Sequence, residues 1–303
     1  MYTANSYGYG TTALHNLTTT SRFLRLYRAM SASVVEAFCC GNPLINVALH
    51  IACAPFVLEL TRLGLKMEGM IARDGDLKGA CAWLASIGAA DIRVQGVDGV
   101  PLSGPLLFVA NHAGLGDAHA VLMSSPRRDT RVLAHDFGIL PALPEFRRHV
   151  IVVDGERPEA ALRASLRHLR AGGSLLLYPR GEIEADPGLD LESALGSLPA
   201  WSDSMSLFAR HVPGLAVVPV ATGGVLSRRA LRNPLVRRYR DRDQRHFLAA
   251  TFQMMFACYR DPLISVHYGR ALRGGRADRD RAAEEMAALL ARVHAEQSSL
   301  SSD

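Results

Sequence analysis

From residue 91 onwards, short apolar runs alternate with helical patterns, and this alternation constrains the fold more than any other feature. The segment "RPEAALRASLRHLRAGG" has a proline in its first turn and glycines at its end, as is typical of a helix. Strands that alternate with helices favour a largely parallel sheet covered on both faces. The sequence therefore predicts an α/β fold with a mixed, largely parallel sheet flanked by helices. The apolar runs are "IRVQGV", "PLLFVAN", "RVLAH", "VIVVD", "SLLLYP", "AVVPVA" and "LISVHYG".

In residues 1–90 the apolar positions recur at helical spacing, which predicts a helical N-terminal region. An α/β catalytic domain is predicted to follow at residues 91–303. The most apolar segment is "PLINVALHIACAPFVLEL" at 43–60, which His50 and Pro55 interrupt. It is shorter than the ~20 apolar residues that a membrane-spanning helix needs. Two interpretations remain open for it: a buried core helix, or a helix that lies in a membrane interface.

The composition is that of a globular protein, with 49% hydrophobic and 21% charged residues. The net charge of +5 suits phosphate groups, nucleic acid or an anionic membrane and does not choose among them. An arginine-rich run at 227–245 is either a solvated helix or loop, or a patch that faces phosphate or membrane. It has no interleaved aromatic residue besides Tyr239, so no nucleic-acid partner is expected.

The five cysteines form no C-x-x-C pair, which argues against a disulfide framework or a zinc ribbon. A reducing, cytoplasmic compartment fits this cysteine usage best.

The stretch "FVANHAGLGDAHAV" at 108–121 carries the candidate chemistry. His112 follows a predicted buried strand, and ligands of open α/β sheets bind at the carboxyl ends of strands. Gly114 and Gly116 permit a tight turn, and Asp117 opens the next predicted helix. Asp117 could simply cap that helix. Alternatively its carboxylate could turn back to the imidazole, fix the tautomer and leave the other ring nitrogen to take a proton from a hydroxyl.

A metal site is the competing interpretation, with His112, Asp117 and His119 as ligands. Zinc needs three or four ligands in tetrahedral array, and no second cluster with suitable spacing occurs. We therefore expect no metal and a structural role for His119.

Four blocks in the chain resemble those of a known enzyme family. "NHAGLGD" matches the Asn-His-x-x-x-x-Asp signature of the glycerolipid acyltransferases, which include glycerol-3-phosphate, lysophosphatidate and related lysophospholipid acyltransferases. "YPRGEIE" at 178–184 lies where that family has Phe-Pro-Glu-Gly-Thr-Arg. "VVPVA" at 217–221 resembles its Val-Pro block. "FGILPALPEFRRHVIVVDGER" at 137–157 resembles the family's segment between the Asn-His-x-x-x-x-Asp block and the Phe-Pro-Glu-Gly-Thr-Arg block. The blocks occur in the family's order over residues 90–270.

The resemblance implies a glycerolipid acyltransferase-like fold and transfer of a fatty acyl chain to a hydroxyl of a glycerolipid precursor. The donor would be acyl-CoA or acyl carrier protein, used as co-substrate with no further cofactor. His112 matches the general base and Asp117 its partner. The implied location is cytoplasmic, peripheral at the inner face of the cell membrane, with the membrane surface and a lipid acceptor as partners. The implied substrate-binding residues are Asn111, Arg157, Tyr178, Arg180, Gly181 and Glu182.

The chain also departs from the family pattern at positions associated with gripping the acceptor phosphate. The family's block glutamate is Arg180 here, its threonine is Glu182 and its arginine is Ile183. A family arginine in the middle block is replaced by Gly155, and the nearest arginine is Arg157. Either these two arginines substitute as phosphate ligands, or the acceptor is a non-phosphorylated glycolipid or polyol. A catalytically silent lipid-binding homologue is the third alternative.

Overall fold

The fold is described from a computed structural model of the chain, over residues 9–38, 41–274 and 278–300. The described residues form twelve α-helices and eight β-strands. The helices are α1 (Tyr9–Glu36), α2 (Pro43–Asp74), α3 (Lys78–Gly88), α4 (Asp117–Ser124), α5 (Pro144–Arg148), α6 (Pro158–Arg170), α7 (Leu191–Ser197), α8 (Ser204–His211), α9 (Arg228–Arg232), α10 (Pro234–Arg237), α11 (Arg242–Met255) and α12 (Arg279–Leu300). The strands are β1 (Asp91–Gln95), β2 (Leu106–Ala110), β3 (Thr130–His135), β4 (Val150–Val153), β5 (Ser174–Leu177), β6 (Ala216–Gly223), β7 (Leu263–Tyr268) and β8 (Leu272–Arg273).

The strands form one mixed sheet in the order β1-β7-β6-β2-β5-β3-β4, with β8 paired to β6. Strands β6, β2, β5, β3 and β4 run parallel to one another. Strands β7 and β8 are antiparallel to β6, and β7 is parallel to β1. The predicted fold class is therefore confirmed, and each of the seven apolar runs forms a strand. The sequence prediction missed β8, whose two residues are too few to show a pattern, and α11, which begins in the arginine-rich run.

The register of the three central strands aligns their carboxyl ends at one edge of the sheet. Ala110 of β2 pairs with Val220 of β6, and Val109 pairs with Leu177 of β5. Residues that follow β2, β5 and β6 therefore meet at this edge, which we call the carboxyl edge.

Apolar side chains fill both faces of the sheet, because successive residues of a strand point to opposite sides. Phe108 and Leu176 contact the layer formed by α2, α3 and α4, including Ile71. Leu107 and Leu175 face the layer formed by α6, α7, α8 and α12. Both faces are thus covered, as the near-continuous hydrophobic strands require.

Helix α2 belongs to the same core as the sheet. The Asn42 side chain caps its N-terminus, and its last turn closes at Gly75, where φ is +72° and the N–H donates to the Ile71 carbonyl. The buried carboxylate of Glu68 accepts the backbone N–H groups of Glu145 and Phe146 and so caps α5. The boundary predicted near residue 90 marks a change of sequence texture, and the residues on its two sides share one core.

The N-terminal half of α2 is largely exposed although it is apolar. Leu44, Val47 and Ile51 are 79%, 58% and 71% exposed, whereas Val57 further along is buried. The first part of the segment 43–60 is therefore not buried in the core, whereas Cys53 and Val57 further along are. With 32 residues, α2 is the one helix in the described part of the chain that is long and apolar enough to cross a membrane, by length and composition alone. The segment was expected to be too short, because the sequence pattern ended it at residue 60.

Candidate active site

His112 lies just beyond β2, at the carboxyl edge, with its Nδ1 atom 2.8 Å from Oδ2 of Asp117. A carboxylate only accepts hydrogen bonds, so this contact assigns the proton to Nδ1 and the lone pair to Nε2. Within the described residues no protein group hydrogen-bonds Nε2, and the side chain is 27% exposed. The imidazole therefore offers a basic nitrogen on one side and is oriented from the other.

Asp117 is the first residue of α4 and is fully buried. Besides His112, its carboxylate accepts the backbone N–H of Gly114 at 3.1 Å, the N–H of Ala118 and the hydroxyl of Tyr178 at 3.1 Å. Gly114 has φ +151°, and a Cβ there would lie 3.2 Å from the Val225 side chain. The turn thus depends on glycine at this position. The carboxylate both organises the start of α4 and contacts His112, so Asp117 fits both sequence interpretations, as a helix cap and as the partner of the imidazole.

Tyr178 follows β5 and packs on the imidazole of His112, with ring centroids 4.5 Å apart and ring planes 31° apart. Its hydroxyl donates to Oδ1 of Asp117. Burial, and then the charge of Asp117, hold the pKa of the Tyr178 hydroxyl well above its ordinary range, so it remains a proton donor to the carboxylate. The sequence prediction made Tyr178 a substrate-binding residue, and the structure places its polar atom against Asp117.

The electrostatic surroundings raise the pKa of His112. Burial acts to lower the pKa, but the charge and hydrogen bond of Asp117, together with the charge of Glu184, outweigh it. Both carboxylates favour the imidazolium. The site is therefore suited to take a proton onto His112 and hold it there.

Glu184 is a site residue that the sequence prediction missed, since it chose Glu182 from the same block. Oε2 of Glu184 accepts the His112 backbone N–H at 2.9 Å, and the Glu184 N–H donates to the His112 carbonyl at 2.6 Å. Oε1 accepts the Ser197 hydroxyl and the indole N–H of Trp201. Glu184 is only 3% exposed. A second glutamate at the end of "YPRGEIE", with a tryptophan 17 residues further on, was the available signal.

The other residues of this block form an exposed turn. Gly181 has φ +74°, and its N–H donates to the Tyr178 carbonyl at 3.1 Å. The Arg180 guanidinium lies 3.2 Å from the Glu182 carboxylate, with side chains 34% and 73% exposed. Ile183 is also exposed, at 39%. The positive charge of Arg180 is therefore shared with Glu182 in this structure.

Asn111 and Arg157 are both predicted to bind substrate, and the structure places them differently. Asn111 is buried: its Nδ2 donates to the Thr222 carbonyl at 2.9 Å and its Oδ1 accepts the Thr222 N–H at 2.8 Å. Its amide therefore joins the ends of β2 and β6 and is not open to a ligand. Arg157 is the exposed N-cap residue of α6 and follows β4, three strands from β2. At about 4.8 Å per strand, the two strands are roughly 14 Å apart, and among the described contacts none joins Arg157 to His112.

Exposed apolar side chains stand on the loops that leave the carboxyl edge. They are Leu115 after β2, Phe137 after β3 and Ile183 after β5. A cavity of about 370 Å³ that includes Arg131 and His149 lies at the amino end of β3, away from His112. Another of about 400 Å³ lies against α12. Neither cavity includes His112, near which the resemblance to acyltransferases implies an apolar groove.

The predicted metal alternative can be compared with the geometry. Among residues 9–38, 41–274 and 278–300, no group of three or more His, Cys, Asp and Glu side chains is placed to hold a metal ion. His119 instead hydrogen-bonds the Leu115 carbonyl through Nδ1 at 3.1 Å, and burial lowers its pKa. This hydrogen bond joins the first turn of α4 to the loop that precedes it.

A second buried carboxylate, Asp186, fixes the neighbouring loops. It accepts the backbone N–H groups of Gly188 and Gly224 at 2.8 Å and of Val225 at 2.9 Å. Since the Val225 side chain packs against Gly114, Asp186 supports the turn that carries His112 and Asp117.

Comparison with known proteins gives little further information. No profile of a known protein family matches the sequence, and no curated protein matches it. Among solved structures, the chain is similar to the crystal structure of the 1-acyl-sn-glycerophosphate (LPA) acyltransferase PlsC from Thermotoga maritima. The identity is 15%, the match covers 93% of this chain and 97% of that chain, and the TM-score is 0.42. This similarity is too low to assign a fold or a function to the chain.

Proposed function

We propose that the protein is an acyltransferase that moves a fatty acyl chain from an acyl-CoA or acyl carrier protein thioester to a hydroxyl of a lipid precursor. The observation that carries the proposal is the 2.8 Å contact between His112 Nδ1 and the fully buried carboxylate of Asp117, which leaves Nε2 as a base. The resemblance of "NHAGLGD" and "YPRGEIE" to the glycerolipid acyltransferase blocks supports the same reaction.

In the proposed mechanism, His112 Nε2 takes the proton of the acceptor hydroxyl while its oxygen attacks the thioester carbonyl. Asp117 stabilises the imidazolium that forms. The tetrahedral intermediate then collapses: the C–S bond breaks, the imidazolium returns its proton to the departing thiolate, and an ester and a free thiol result. Tyr178 keeps Asp117 in place during both transfers through its hydroxyl.

The proposed acceptor is a glycerolipid precursor, lysophosphatidate or a related lysophospholipid. Arg180 is the guanidinium near the site that is suited to a phosphate, as arginine forks bind its oxygens. A non-phosphorylated acceptor such as a glycolipid or polyol is the second candidate. It is favoured by one observation: the Arg180 charge is already paired with Glu182, and the exposed neighbour is the apolar Ile183.

The proposed place of action is the cytoplasmic face of the cell membrane. Helix α2 contacts the end of α11 through Phe56 and Phe256, whose ring centroids lie 4.9 Å apart. The hydroxyl of Tyr239, within the arginine-rich run, donates to the Phe38 carbonyl shortly before α2. Seven of the eight arginines between 228 and 245 are exposed, with Arg245 half-buried. Each basic residue close to an anionic membrane contributes about 1 kcal/mol of attraction. Apolar contact and charge attraction would thus act on adjoining surfaces.

Acyl transfer by purified protein tests the proposal. The wild type and His112→Ala are incubated with acyl-CoA or acyl carrier protein donors. Each donor is paired with lysophosphatidate, with a lysophospholipid and with a monoacylated glycolipid or glycerol. We expect transfer by the wild type and a loss of about 10²–10⁴-fold in His112→Ala, the usual contribution of a general base.

A matched control is His211→Ala, which removes an exposed histidine from the end of α8 and should keep wild-type activity. Equal transfer by wild type and His112→Ala would exclude His112 as the base. No transfer by the wild type with any pair would favour a silent lipid-binding homologue.

A further inference from the structure

The main chain of His112 is joined to Glu184, 72 residues away in sequence, by hydrogen bonds in both directions. The Glu184 N–H donates to the His112 carbonyl at 2.6 Å, and the Glu184 carboxylate accepts the His112 N–H at 2.9 Å. Two bonds of opposite sense leave the peptide groups on either side of His112 little freedom to rotate. The direction of the Cα–Cβ bond of His112 is therefore fixed by the backbone contacts, and the orientation of the ring is fixed by the contact of Nδ1 with Asp117.

The carboxylate of Glu184 is a buried charge with neutral partners. It is 3% exposed, and its other ligands are the hydroxyl of Ser197 and the indole N–H of Trp201. Among the described residues no ion pair joins it to a lysine or arginine. A buried carboxylate favours a positive charge nearby. The imidazole of His112, whose backbone Glu184 holds, becomes positive when the reaction protonates it.

We propose that Glu184 is a positioning residue for His112, holding its backbone and stabilising the imidazolium that forms when a proton is taken. The charge of Glu184, after that of Asp117, contributes to the raised pKa of the histidine. Ser197 and Trp201 hold the carboxylate in turn, so α7 and the segment after it support the site. The inference deepens the proposed acyl transfer, but its effect on His112 is independent of which substrate the protein uses.

A titration of His112 by NMR tests the inference without any substrate. Protein labelled at histidine carbons is titrated, and the His112 signal is assigned from its absence in His112→Asn. We expect Glu184→Gln, which removes the charge at constant size, to shift the midpoint of His112 to lower pH. Glu192→Gln removes an exposed charge from the same helix, α7, and is the matched control. It should titrate as wild type.

The acyl-transfer assay then provides a second readout. For Glu184→Gln the acid limb of the kcat profile should move to lower pH and kcat should fall more than KM changes, since substrate contacts remain. Glu184→Asp keeps the charge but shortens the side chain, so kcat should fall while the acid limb stays closer to that of the wild type. This variant keeps the test decisive if Glu184→Gln does not fold.

The outcomes separate the two proposals. A folded Glu184→Gln with an unchanged His112 midpoint would overturn the inference and leave the acyl-transfer proposal intact, and so would Glu184→Asp with full kcat. If the wild type transfers no acyl group but the His112 midpoint shifts as expected, the function fails and the inference stands.

Discussion

The hydroxyl of Tyr178 lies 3.1 Å from Oδ1 of Asp117, and its ring packs on the imidazole of His112. A single residue that follows β5 therefore contacts both members of the His112–Asp117 pair. Tyr178→Phe removes one donor from the carboxylate and keeps the ring. A hydrogen bond of this kind contributes about 0.5–1.5 kcal/mol, so we expect kcat to fall roughly 2- to 10-fold. The measurement is steady-state acyl transfer. Tyr259→Phe, whose hydroxyl contacts Asn233 far from the site, is the control; an equal loss in both variants would contradict the assignment.

Asp117→Asn should be far more damaging. The amide cannot stabilise the imidazolium and admits the wrong histidine tautomer, so kcat should fall about 10³–10⁴-fold. Gly114 and Ala118 donate to different oxygens of Asp117, so the amide oxygen of the variant keeps one of these two contacts and the start of α4 loses the other. Circular dichroism checks the fold and initial rates check kcat; a folded variant with more than a tenth of wild-type kcat would rule out Asp117 as the partner of His112.

The pH dependence of kcat follows from the raised pKa of His112. A general base must be neutral, so activity is lost as the pH falls through the pKa of the histidine. Because the two carboxylates raise that pKa, the acid limb should lie above the ordinary imidazole value of about 6.5. In Asp117→Asn the residual activity should show an acid limb at lower pH. Rate profiles between about pH 5 and 9 measure the acid limbs of the wild type and of Asp117→Asn. A wild-type acid limb below the ordinary imidazole pKa would contradict the assignment.

Acceptor choice can be tested at the Arg180–Glu182 pair. Glu182→Gln frees the Arg180 guanidinium, so kcat/KM for a phosphorylated acceptor should rise relative to its non-phosphorylated analogue. Exposed ion pairs contribute about 0–1 kcal/mol, which limits the change to roughly fivefold. Competition between lysophosphatidate and monoacylglycerol, analysed by mass spectrometry, measures the ratio.

Arg180→Ala should change the same ratio in the opposite direction if the arginine contacts phosphate. An unchanged ratio in both variants would show that the pair does not contact the acceptor's phosphate position.

Membrane binding can be tested on the exposed half of α2. Replacing Leu44 and Ile51, which are 79% and 71% exposed, with serine should reduce sedimentation with vesicles that contain anionic phospholipid. The free energy of unfolding should barely change, because neither side chain is in the core. Leu102→Ser is the matched control, since Leu102 is 76% exposed in the loop before β2. Equal vesicle binding by all three proteins would argue against α2 as the contact surface.

The sequence predicted the strands and the His112–Asp117 pair because both depend on local patterns. Burial on both faces makes the strands apolar, and a turn of fixed length connects the pair. Choosing between Glu182 and Glu184 was a different problem. The chain reverses at Gly181, where φ is positive, and no periodicity indicates which carboxylate points inwards.

Arg157 illustrates a second limit of sequence analysis. It lies only 45 positions after His112, but the sheet order inserts β5 and β3 between β2 and β4. Strand order depends on crossovers that leave no local pattern. The α2 segment shows a third limit, because an apolar composition is common to core helices and to helices that meet lipid.

The hydrogen bonds of Glu68 to the start of α5 tie α2 to the α/β part of the chain, so the N-terminal helices cannot be removed without loss of contacts. Helices α2 and α3 are not a detachable anchor, since they cover the face of the sheet that carries Phe108 and Leu176. A chain beginning at residue 91 would expose that face and leave α5 uncapped. Trimming the N-terminus to residue 91 should therefore yield aggregates, whereas polar replacements on the outer surface of α2 should leave the sheet and its two helical layers intact.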